Sequence, residues 1–109
     1  MTVADLPAIP RNISTALRYA GFESAAGHGL GYRCSPRRFF DSRPPETMIE
    51  FGVIGADAIR EWSALTLQHQ NTVRNHVFEQ WMAVLGPGGR GWDVVRGGEC
   101  VIVRGRSKR

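Results

Sequence analysis

Between positions 33 and 43 the chain carries Arg33, Arg37, Arg38 and Arg43 around the adjacent pair Phe39 and Phe40. Guanidinium groups neutralise phosphates and phenyl rings stack on exposed bases, so one reading is a nucleic-acid contact. The same residue types dominate the hot spots of protein interfaces, which is the competing reading. A third folds both rings back onto the core and leaves the arginines solvated. The stretch 36–46 holds three Pro and reads as a long connection, a kind of segment that carries function more often than most.

The other basic cluster is terminal. Arg104, Arg106, Lys108 and Arg109 fall within the last six residues, and without them ten basic residues face ten acidic ones. The net charge of +4 is therefore a property of 104–109, read as a basic tail on a neutral body. Arg104 and Arg106 join the loop as candidate phosphate or partner contacts. Of the 14 basic residues 13 are Arg, scattered among 13 Gly, which reads as the codon bias of a GC-rich bacterium or its phages or mobile elements.

No spacing announces catalysis. The serines lack a nucleophile-elbow context. Cys34 paired with a histidine would make a thiolate nucleophile, but it alternates onto the same strand face as Tyr32, where a small buried hydrophobe is the default. Cys100 reads as packing opposite Val95. Glu46 and Glu50 are the only carboxylate pair near the long loop, and nothing in the sequence positions them for proton transfer. His69 and His76 are two helical turns apart, too far for joint metal ligation, and read as core or interface residues. The two cysteines lie far apart in sequence, and no Cys-x-x-Cys or His-x-x-x-His unit exists, so no metal and no cofactor is expected.

The elements that must position these groups follow from periodicity. A helix is expected over 12–20, capped by Asn12 and stopped by Gly21, with Ile13, Ala16, Leu17 and Ala20 on one face. Residues 24–31 are small and Gly-rich and read as a loop. Strands are expected over 32–35, ending at Pro36, and over 47–53. A helical region from Asp57 to about Leu85 carries a stripe through Ile59, Trp62, His69, Val73, Val77 and Trp81. Unbroken, it would be about 45 Å long, more than so small a globule spans, so a break near 68–71 with Asn71 as cap is expected. The alternative is a protruding helix that pairs with another chain.

Gly97-Gly98 between two apolar runs predicts a hairpin with both glycines at positive φ. Arg96 would then face Glu99, Val94 would face Val101, and Trp92 would face Val103. Trp92, Val94, Val101 and Val103 share one face in that register.

The 109 residues thus form one α+β domain, with 1–10 as an N-terminal arm. The order is α-β-β-α-β-β: an antiparallel sheet of about four strands with helices on one face, and a pseudo-repeat in which Tyr32 and Trp92 open equivalent strands. No apolar run approaches a membrane span, and the first residues do not read as a signal peptide, so a cytoplasmic location is expected. The expected function is non-catalytic binding of a protein partner, a second copy of the chain among the candidates. Nucleic-acid binding through 33–43 and the tail is the alternative, and a small enzyme the third reading.

Overall fold

The computed structural model describes residues 7–37 and 46–106. It begins at a proline. Helix α1 (Pro10–Tyr19) has Pro10 in its first turn, where a missing N–H costs no intrahelical bond. Asn12 consequently lies inside the helix rather than at its cap, and its Nδ2 donates to the Pro7 carbonyl at 2.9 Å. Ile13, Ala16 and Leu17 are buried on the face the periodicity marks. Gly21, at φ 97°, turns the chain away.

The Gly-rich segment is more ordered than composition suggests. It holds a single turn, α2 (Ala25–His28), and the start of strand β1 (Leu30–Arg37). β1 runs through Pro36 because it is an edge strand. Tyr32 N–H points away from the sheet to the Glu23 carbonyl at 3.1 Å. Four residues on, the N–H that Pro36 lacks would face that same open edge, so no sheet bond is lost.

Strand β2 (Glu46–Val53) returns antiparallel, with Tyr32 opposite Phe51 and Cys34 opposite Ile49. The helical region then breaks as expected, but earlier. α3 (Ala56–Ser63) and α4 (Leu67–Leu85) are separate, and Thr66 caps the second by accepting from His69 N–H at 3.1 Å. Asn71 lies inside α4. The break falls where Thr66 accepts that N–H and Gln70 Nε2 donates back to the Trp62 carbonyl at 2.9 Å. These bonds satisfy groups that a broken helix leaves open.

Strands β3 (Trp92–Gly97) and β4 (Cys100–Arg106) form the second hairpin. Its turn sits one residue further along than expected: Gly97 pairs with Cys100, Val95 with Ile102, Val94 with Val103 and Asp93 with Arg104. Gly98-Glu99 is the tip, and neither Gly97 nor Gly98 takes a positive φ. Sliding both strands together by one pair preserves the alternation, so the apolar face survives intact. The shift also carries Arg96 over the Phe78 ring, 4.5 Å from its centroid, within 2.6 Å of Asn75 Oδ1.

Among the described residues the strands form one antiparallel sheet in the order β1-β2-β4-β3. The two hairpins meet at β2 and β4, and the outermost strands each bury an aromatic, Tyr32 and Trp92. That is the arrangement an α-β-β-α-β-β pseudo-repeat implies. One sheet face, with Tyr32, Thr47, Ile49, Trp92, Val101 and Val103, is buried against α1 and α4. Phe78, Trp81 and Leu85 supply the α4 side of this core. The stripe predicted for α4 is rotated: Phe78 is buried, whereas His69 and His76 are exposed.

Candidate interaction surfaces

Alternation along the strands puts Arg33, Arg37 and Arg104 on the sheet face opposite α1 and α4. Three of the residues singled out from the sequence therefore share one surface. Arg104 is not on a free tail but within β4, and Arg106 ends that strand. Arg38, Phe39, Phe40 and Arg43 lie outside the described residues.

Two of these arginines are already engaged. Glu46 sits between them, 2.9 Å from Arg104 Nε and 3.4 Å from Arg37 Nη1, and Arg104 Nη1 approaches Asp93 at 4.0 Å. The result is a row of alternating charge across the sheet: Arg37, Glu46, Arg104, Asp93. Glu46 is largely covered by its neighbours, whereas Arg104 and Asp93 remain substantially exposed. Arg37 and Glu46 pair by hairpin register, but Arg104 arrives from 58 residues away. No local signal could bring it there.

Below this row lie Ser35, Met48, Ile102 and Val95, each half-buried, and below them Arg33, Glu50, Cys100 and Gly97. The last row of the face is a pair of facing glycines, Gly31 and Gly52. A Cβ on Gly31 would overlap the Glu23 carbonyl, and one on Gly52 would sit 2.8 Å from Ala25 Cβ. The glycines thus make room for α2, the chain before it and the stem of Arg33, whose Cδ would lie 2.5 Å from a Cβ on Gly52. The register of the charged rows, not their composition, is what sequence reading missed.

A second surface is the elbow between α3 and α4. No residue of α3 is buried. Ile59 is 50% exposed and Leu67, at the start of α4, 69% exposed, with Ile54 nearby in sequence at 42%. The elbow is nevertheless anchored. Trp62 packs on Phe51 with ring centroids 4.9 Å apart, and the Thr66 and Gln70 bonds close the bend.

Burial pushes the Cys34 thiol up to about 12, which leaves no thiolate at neutral pH. Cys100 lies opposite Gly97 and Glu50 rather than Val95. An open cleft of about 400 Å³ beside β1 is lined by Arg11, Ser14, Ser24, Tyr32 and Arg33, and Ser14 Oγ lies 2.9 Å from the Tyr32 hydroxyl. Among the described residues, no His, Asp or Glu lines that cleft to act as a base for either hydroxyl. No group of His, Cys, Asp and Glu among the described residues is arranged to hold a metal ion. No described helix is long and apolar enough to cross a membrane.

No family model, curated protein or solved structure matches this chain.

Proposed function

We propose that this chain works by binding another protein, without catalysis, and that the α3–α4 elbow makes the contact. The observation that carries this reading is the pairing of exposure with order. Ile59 and Leu67 present apolar surface to water on a bend fixed by Thr66, Gln70 and the Phe51–Trp62 stack. An apolar patch costs solubility, and ordering it in advance lowers the entropic cost of docking. Covering both side chains is worth on the order of 2–3 kcal/mol, a substantial share of a moderate affinity.

Nucleic-acid binding is the less supported alternative. It needs uncommitted guanidinium groups, and Arg37 and Arg104 already share Glu46. A third reading, a thiol enzyme, is disfavoured by the raised Cys34 thiol.

The test is capture of partners from the source organism's lysate, with and without nuclease, using the natural chain beside Ile59→Asp and Leu67→Asp. Both residues are at least half exposed, so the variants should fold. The reading expects a protein retained after nuclease treatment and lost by either variant. A captured species that disappears with nuclease, or that both variants retain, would overturn it.

A further inference from the structure

Among the described residues, α2 covers the face of the sheet carrying the charged row only at its Gly31–Gly52 end. The three rows beyond it are Arg37–Glu46–Arg104–Asp93, Ser35–Met48–Ile102–Val95 and Arg33–Glu50–Cys100–Gly97. We propose that a second copy of this chain packs on this face, sheet against sheet, about a two-fold axis parallel to the strands and midway between β2 and β4.

The charges select that axis. A two-fold parallel to the strands reverses the order of strands while leaving each row facing itself. Arg37 then opposes Asp93 of the second copy, and Glu46 opposes its Arg104, so all four charges of the row meet their opposites. In the middle row Met48 meets Ile102 of the second copy and Ser35 meets its Val95. In the third row Arg33 faces Gly97 and Glu50 faces Cys100, so no like charges meet. A two-fold running across the strands instead exchanges the first and third rows. It would set Arg37 against Arg33 of the second copy and Glu46 against its Glu50, like against like in both cases. Like-charge juxtaposition is what suppresses wrong pairings. Sheets that pack face to face do so with strands nearly aligned, as this axis requires.

The size of the surface sets the strength. Four strands about 4.8 Å apart and three rows spaced by about 6.8 Å give roughly 400 Å² in projection on each copy. That lies at the small end of interface sizes, so the dimer is expected to be weak and reversible. This association does not depend on the elbow, which lies on α3 and α4.

Sedimentation velocity between about 1 µM and about 1 mM tests the proposal. The expected result is a monomer at low concentration that shifts towards dimer mass as concentration rises. Ile102→Lys places a charge in the centre of the apolar row, and Asp93→Arg sets like charges opposite each other at both ends of the charged row. Each should weaken dimerisation by at least about 10-fold, while Leu67→Asp leaves it unchanged. A chain monomeric throughout would overturn the proposal, as would a dimer that survives Ile102→Lys or dissolves with Leu67→Asp. Should a sheet variant fail to fold, dilution of the natural chain followed by amide NMR gives the same decision. Shifts concentrated at 46–50, 93–97 and 100–104 support the proposal, and shifts concentrated at 59–67 overturn it.

Discussion

The hydroxyl of Thr47 donates a 2.7 Å hydrogen bond to the carbonyl of Ala8, 39 residues earlier in the chain. Thr47 is fully buried in β2, and Ala8 is buried just before α1. The bond fastens the N-terminal arm to the sheet and satisfies a carbonyl that has left water. Replacing Thr47 by Val keeps the volume but orphans that carbonyl, which should cost about 1–3 kcal/mol. Thr47→Ser keeps the donor and should cost less. Thermal unfolding of the two variants decides, and a larger loss for Thr47→Ser than for Thr47→Val would show that the methyl group rather than the hydroxyl matters.

Glycines in this chain are not equivalent. A Cβ at Gly31 would overlap the Glu23 carbonyl, backbone that cannot rotate aside, whereas one at Gly98 would meet nothing. Gly31→Ala should therefore destabilise by at least about 2 kcal/mol, and Gly98→Ala should stay within about 0.5 kcal/mol of the natural chain. Denaturant melts would reveal a misplaced turn if the Gly98 change proved the costlier of the two.

The hairpin register has its own test. With Arg96 over Phe78 and bonded to Asn75, Arg96→Ala should cost about 0.5–1 kcal/mol or more, and Glu99→Ala, at the turn, almost nothing. Were Arg96 instead paired with Glu99, the two truncations would cost similar amounts and fail to add. A double-mutant cycle separates these cases.

Alkaline pH should expose the buried thiol. Cys34 is raised from an ordinary value of 9.0 to about 12 by burial, so the folded chain holds its proton where the unfolded chain releases it. The sign follows: unfolding releases a proton, and stability falls with rising pH between about 9 and about 12 while remaining flat, for this group, below 9. Melting temperatures of the natural chain should drop faster over that alkaline range than those of Cys34→Ala. Parallel curves would mean that the thiol is more accessible than its packing implies.

Much of this molecule is written locally. The faces of α1 and of the second hairpin are periodic patterns, and a period of 3.6 or 2 needs no knowledge of the rest of the chain. A break between α3 and α4 was expected from length, yet the long axis of the molecule, 45 Å, would have held the unbroken helix; the bend is instead closed by the Thr66 cap and the Gln70 bond to the Trp62 carbonyl. Local chemistry also misleads where a neighbour in space outweighs it. Gly97-Gly98 has the composition of a primed turn, yet the turn closes on Gly98-Glu99, bringing Asp93 opposite Arg104 and Arg96 above Phe78. Pro36 reads as a strand end, yet it is harmless on an edge that needs no donor there.

What the sequence alone determined was the class of fold, the order of its elements and which residues could be buried, since hydrophobic periodicity and turn chemistry act between residues close in the chain. What only the tertiary structure decided was which charges meet. Arg104 reads as the start of a loose basic tail, and Glu46 as one of a carboxylate pair with Glu50 beside a loop. The pairing of β2 with β4 brings them within 2.9 Å across a gap of 58 residues. Coulombic attraction depends on distance in space, and that distance exists only once the two hairpins have joined.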